Sequence, residues 1–331
     1  MSLISRFKKS AWKDCRMIFP EGEDNRILSA AVKAKKLQLA KPLLVGNKTE
    51  IEKTAKKLKL SLKGIPIIDI SQGIPEKYIK AYTKIRKSSV KLAEHILSNP
   101  LFLATLMVKM GEADAIVAGA VSSSADVITA ATGIIGLRKE VSVPSSFFIM
   151  EISNSKMGIE GLLLFADSSV NIELTPGQMA DVAITTAHTA KELMGWTPRV
   201  ALLSFSTKGS SIHPRADKVL EATRLANKKA PRLHIDGEMQ GDSALVEKTA
   251  KKKIKGKIGP VAGRANVLVF PDLDSGNIAY KLVQTLAKAN AYGPILQGFQ
   301  KPVSDLSRGA KTEDILGSIA ILSTWAKRWK K

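Results

Sequence analysis

At 331 residues, with 44% hydrophobic and 24% charged side chains, the chain reads as a globular protein of one large or two medium domains. No run of eighteen apolar residues is available to span a bilayer, and the basic start MSLISRFKKSAWKDCR lacks the apolar stretch and cleavage site of a secretory signal. The formal charge is +21, but its 39 lysines and 12 arginines are scattered, with no zinc-finger spacing or aromatic platform, so a solvated basic surface is expected and a nucleic-acid partner is not. The single cysteine, Cys15, cannot form an internal disulfide; that fits a cytoplasmic location, and the residue reads as a small hydrophobe.

In chain order, short β-rich apolar runs occur at 17–19, 42–46, 65–70, 113–121, 146–152, 161–167, 199–206, 232–236, 265–270 and 293–298. Stretches with helical spacing, such as DNRILSAAVKAKKL and DKVLEATRLANKK, separate most of them. Continuous apolar strands alternating with helices predict an α/β fold with mostly parallel sheets covered on both faces. Ten candidate strands exceed one ordinary open sheet, which favours two domains.

In such sheets ligands sit beyond the C-terminal strand ends. The segments that follow the runs are rich in glycine, hydroxyls and carboxylates: PEGED (20–24), GAVSSSAD (119–126), ADSSVN (166–171), STKGSS (206–211), DGEMQGD (236–242), PDLDSGN (271–277) and GFQKPVSDLSRG (298–309). None matches a dinucleotide fingerprint or a P-loop, and STKGS alone is a generic oxyanion group. In DLSRG, Gly309 allows backbone to approach a ligand, and Arg308 suits charge-assisted contacts to phosphate. Thr312 is the expected N-cap of the following helix, with Glu313 and Asp314 in its first turn. On residue types alone, two readings of Asp314 stand: an ordinary helix-terminal carboxylate, or a base beside an anion site.

The four histidines, His95, His188, His213 and His234, show no metal-binding pairing. Asp236, Glu238 and Asp242 form an acidic group without supporting ligands, while Asp167 and Asp272 read as loop caps. No metal is expected.

Taken together, FPEGEDNRIL (19–28), DAIVAGAVSSSADV (114–127), LLFADSSVNI (163–172), VALLSFSTKGS (200–210), DGEMQGDSALV (236–246), NVLVFPDLDSGNIAYKLVQTLA (266–287) and AYGPILQGFQKPVSDLSRG (291–309) resemble the phosphate acetyltransferase (phosphotransacetylase) family over nearly the whole chain. The resemblance implies two three-layer α/β/α domains with an interdomain cleft: residues 1–139 completed by 296–331, and 140–295 inserted between them. It further implies a cytoplasmic homodimer that reversibly converts acetyl phosphate and coenzyme A to acetyl-coenzyme A and phosphate by direct transfer in a ternary complex. Coenzyme A is then a substrate, and no tightly bound cofactor is expected.

By resemblance Ser307, Arg308 and Asp314 are the catalytic residues. Arg86, Ser122, Ser123, Ser206, Thr207, Lys208, Gly209 and Ser210 are expected to bind substrate. Four positions depart from the family pattern: Ser122 replaces a histidine, Thr129 and Thr285 replace arginines, and Ala130 stands for a proline. Each lost guanidinium removes a charge-assisted contact to a polyanion, about 10- to 100-fold in binding. An acyltransferase of altered acyl preference and a non-catalytic acyl-phosphate- or coenzyme-A-binding homologue are the alternatives.

Overall fold

The computed structural model describes residues 3–330. The chain divides into two units: residues up to Leu137 with those from Phe299 onward, and Arg138–Gly298. In chain order the first unit contributes α1 (Leu3–Ser10), β1 (Arg16–Phe19), α2 (Asn25–Lys36), β2 (Lys41–Gly46), α3 (Lys48–Lys57), β3 (Ile67–Asp69), α4 (Glu76–Arg86), α5 (Val90–Leu97), α6 (Pro100–Lys109), β4 (Ala115–Ala118) and α7 (Ser124–Ala130). The second holds β5 (Ser145–Glu151), β6 (Leu162–Ala166), α8 (Pro176–Met194), β7 (Arg199–Leu203), α9 (Pro214–Lys229), β8 (His234–Met239), α10 (Gly241–Leu245), α11 (Glu247–Lys253), β9 (Val267–Val269), α12 (Leu273–Leu286) and β10 (Asn290–Gln297). The first unit then closes with β11 (Val303–Asp305) and α13 (Thr312–Ala326). All ten apolar runs fall on strands, and the architecture is α/β as expected.

The first unit's strands follow the order β3-β2-β1-β4-β11, all parallel. They need cover on both faces, and two separate helix groups give it. One is α1, α2 and α13; the other is built on α4 to α7. Helix α13 is buried continuously from Ile315 to Ala326, which explains why its sequence is apolar all round. Pro100 at the first turn and the Asn99 side chain, which accepts the Leu101 N–H, start α6, itself buried from Leu103 to Val108.

The second unit's strands follow β10-β5-β6-β9-β7-β8; β5 runs antiparallel to both neighbours and the others are parallel. Helix α8 starts with a reciprocal Thr175–Gln178 cap and Pro176, and ends at Gly195 with φ 71°. It packs with α9 along one face. On the other, Phe148, Met150, Phe165 and Phe270 pack with Ala279, Tyr280 and Val283 of α12. Among the described residues, no helix is long and apolar enough to cross a membrane.

Candidate active site

The Ser307–Arg308 loop leaves the C-terminal end of β11, where the Leu306 N–H donates to Ala118 O of β4 at 2.7 Å. This strand was not among the apolar runs of the sequence: Val-Ser-Asp is too short and polar to signal one. Ser307, Arg308 and Gly309 are exposed, whereas Leu306 and Ala310 on either side are buried. The Ala310 N–H returns to Ser307 O at 2.9 Å, so the exposed tip is a closed turn. Among the described residues the Arg308 guanidinium has no ion-pair partner, and the Ser307 hydroxyl only accepts the Gly309 N–H at 3.3 Å.

What holds this turn is Arg26, a residue to which sequence reasoning gave no role. Its guanidinium donates to Arg308 O at 2.6 Å, Ala310 O at 3.3 Å and Ala120 O at 2.9 Å, and pairs with Asp24 at 2.9 Å. Asp24 also caps α2 by accepting the Arg26 and Ile27 N–H groups. Burial works to raise the Asp24 pKa, but the Arg26 and backbone donors outweigh it and hold it below the usual value. Charge at Arg26 is therefore fixed, and with it the spacing of the two loops it bridges.

The second loop, residues 119–122, folds around the buried Glu21. The Glu21 carboxylate accepts backbone N–H groups from Gly119, Ala120, Val121 and Ser122 at 3.1, 2.9, 3.1 and 2.8 Å. A carboxylate with four donors is well satisfied despite burial. Ser123 caps α7, its hydroxyl accepting from Asp126 N–H at 3.1 Å and donating to Asp126 at 2.7 Å. Ser122 is half-buried, and with residues 20–24, Ser98–Leu101 and Val121 it lines a cavity of about 440 Å³.

Asp314 sits exposed in the first turn of α13 and accepts the Lys311 N–H at 2.9 Å. The cap position is thus Lys311, not Thr312 as the sequence suggested. Thr312 is already helical because the Asp314 side chain reaches back to the preceding residue. Arg86 ends α4, exposed, and donates to Gly133 O at 3.0 Å. Thr129 on α7 and Thr285 on α12 are both exposed.

In the second unit, residues 206–211 wrap around another buried acid, Glu238. Its carboxylate accepts the Ser206 hydroxyl at 2.9 Å and the Gly209 N–H at 2.8 Å. Ser206 in turn accepts the Ser211 N–H at 3.2 Å, and Ser210 accepts the Thr207 N–H at 3.0 Å. Lys208 pairs with Asp236 and donates to Gly237 O at 2.7 Å. Lys208 and Gly209 both have positive φ, 49° and 79°, so glycine relieves the second of two left-handed positions. Glu238 is therefore a loop organiser, and among the described residues no group of acids, histidines or cysteine is arranged to hold a metal ion. Asp167 acts likewise, accepting N–H groups of Ser146, Ser169, Val170 and Asn171.

Comparison with known proteins identifies the family. The family model described as phosphate acetyl/butaryl transferase matches residues 2–323. The chain belongs to this family. It is 42% identical to the phosphate acetyltransferase of Acetivibrio thermocellus over 332 residues, covering 99% of both chains. Among solved structures, it superposes on a phosphotransacetylase from Streptococcus pyogenes with a TM-score of 0.90, 38% identity and 99% coverage of both. A EutD phosphotransacetylase from Staphylococcus aureus gives a TM-score of 0.89 at 34% identity, covering 98% of this chain and all of that one. As a member of the phosphate acetyl/butaryl transferase family, the chain is a transferase.

Proposed function

We propose that the protein is a phosphate acetyltransferase that reversibly transfers the acetyl group of acetyl phosphate to coenzyme A. The observation that carries this is the Ser307–Arg308 turn: its backbone is clasped by Arg26 while its guanidinium stays free for an anion. Asp314 takes the proton of the coenzyme A thiol, and the sulfur attacks the acetyl carbonyl carbon. A C–S bond forms, the bond from that carbon to the bridging phosphate oxygen breaks, and phosphate leaves with the electron pair. Arg308 holds the phosphoryl group and offsets the charge that develops on it, and Ser307 donates a hydrogen bond there. The transfer is direct, in a ternary complex, and calls on no cofactor beyond coenzyme A as substrate.

Substrate contacts are assigned to Arg86, for a coenzyme phosphate, and to Ser122 and Ser123 at the Glu21-bound loop. Ser206, Thr207, Lys208, Gly209 and Ser210 are assigned to substrate through the shape of their loop, since most of their polar groups are engaged within it. A homodimer is part of the proposal: Ile278, Leu282 and Leu286 lie exposed at four-residue spacing on α12, of which only Gly276 is buried. A cytoplasmic location follows from coenzyme A chemistry.

The test is formation of acyl-coenzyme A from acetyl, propionyl and butyryl phosphate, in the wild type and in Asp314→Asn. Preference for acetyl phosphate with a loss of about 10²–10⁴-fold in Asp314→Asn is expected for a general base. Preference for a longer acyl chain supports altered specificity, and no activity with any acyl phosphate removes the enzyme reading.

A further inference from the structure

Asp305, the last residue of β11, is two positions before Ser307 and only 2% exposed, and its Oδ1 has no hydrogen-bond partner. It lies in register with Ala118 of β4, so its neighbour across the strand ends is Gly119. The approach there is extreme. A Cβ on Gly119, at φ 106°, would fall 2.5 Å from Asp305 Oδ1 and 2.5 Å from Leu306 N. The Gly119 N–H meanwhile donates to Glu21. Two buried acids therefore flank one glycine: Glu21 is satisfied by four backbone donors, and Asp305 is left with an orphan oxygen.

The Ser124 hydroxyl, at the start of α7, favours the charged form of Asp305. Asp305 thus sits between two segments that carry proposed substrate-binding and reacting residues, 119–122 and 306–310. Of the elements packed against β11, β4 carries no charged residue and α13 carries Glu313 and Asp314 in its exposed first turn; the loops around the strand ends add Glu21, the Asp24–Arg26 pair, Asp126 and Arg308. Of these, Glu21 is the one whose charge opposes ionisation of Asp305. Burial, with the Glu21 charge adding to it, pushes the Asp305 carboxyl up to about 6 against the pull of Ser124.

We infer that Asp305 is a positioning residue for acyl transfer: uncharged, it lets the ends of β4 and β11 close on each other and fixes the Ser307–Arg308 turn; ionised, it loosens both loops. A charge with an unpartnered oxygen cannot be relieved by side-chain movement in a contact this close, so the backbone gives instead. The role rests on reading Ser307 and Arg308 as the reacting pair, but the loosening itself does not.

The experiment is amide hydrogen exchange on the full unliganded protein from pH 5 to 8, corrected for intrinsic rates, in the wild type, Asp305→Asn and Ser124→Ala. In the wild type, protection of residues 118–124 and 306–311 is expected to fall roughly tenfold as pH rises through the Asp305 transition. Asp305→Asn, the neutral isostere, is expected to hold protection constant with pH. Ser124→Ala, which removes the hydroxyl favouring the charged form, moves the transition to higher pH. In parallel, kcat/KM of the wild type carries the same transition and Asp305→Asn loses it while keeping activity at low pH within a few-fold. Identical pH dependence of exchange in wild type and Asp305→Asn overturns the inference. If Asp305→Asn does not fold, an unmoved transition in Ser124→Ala overturns it. Because exchange is read without substrate, unchanged activity in Arg308→Ala would remove the reading of Ser307 and Arg308 as the reacting pair and leave the exchange result intact.

Discussion

The 306–310 turn of the first unit and the 206–211 loop of the second are both rich in serine and glycine, and each carries one cation. In the first, Ser307 and Arg308 are exposed and only the backbone is tied down, by Arg26. In the second, Ser206 and Thr207 are buried, Ser206 bonds Glu238, and Lys208 is committed to Asp236. A loop whose side chains satisfy its own backbone has little left for a ligand. A loop anchored from outside keeps its side chains free. The difference separates a loop whose side chains are free for a ligand from one whose side chains are spent within it, and it cannot be read from composition.

The largest stability effect is expected from Glu21→Ala, which strands four buried or half-buried N–H groups. At about 1–3 kcal/mol for each unsatisfied group, and with water replacing some of them, a loss of about 3–5 kcal/mol in denaturant unfolding is expected. Glu238→Ala removes fewer donors and should cost about 2 kcal/mol by the same measurement. Equal losses would contradict the contrast between the loops.

Arg26→Ala comes next. It frees the Arg308 and Ala310 carbonyls and leaves Asp24 without its cation, so kcat should fall about 10- to 100-fold with about 2 kcal/mol of stability. A full loss of stability with normal kcat in the folded fraction would show that the clasp does not position the turn.

The pH dependence of stability isolates Asp305. Its folded pKa lies near 6 against a reference of 3.8, so between those values the folded state binds more protons than the unfolded state. Its contribution is complete below about pH 4, declines as pH rises, and is gone above about pH 6, a change of about 2–3 kcal/mol. Asp305→Asn should remove that decline, which urea unfolding at pH 4, 5, 6 and 7 measures directly.

The smallest effect is expected from Ser206→Ala: about 1–1.5 kcal/mol of stability, seen as a fall of a few degrees in Tm, with kcat within a few-fold of wild type.

Much of the scaffold was legible because strands covered on both faces must be apolar throughout, and ten such runs stand out. The eleventh strand, Val303–Asp305, was invisible for a converse reason: three residues ending in a buried acid carry no hydrophobic run. The family motifs pointed to DLSRG as the place of interest, and the turn is indeed exposed. The supports were not legible. Arg26 holds backbone carbonyls 94 to 284 residues away in sequence, and carbonyls have no residue signature. Glu21 stood in plain view within PEGED, yet a glutamate after a strand reads as a surface residue unless one knows that four N–H groups converge on it. The misplaced cap has the same root, since Asp314 serves Lys311 through the backbone.

The claim that the exposed turn does the chemistry is tested most directly by Arg308→Ala, assayed for acetyl phosphate-dependent formation of acetyl-coenzyme A alongside its thermal unfolding. The account predicts a kcat lower by about 10²–10³-fold and a stability within about 0.5 kcal/mol of wild type. A wild-type kcat in a fully folded Arg308→Ala protein would contradict it.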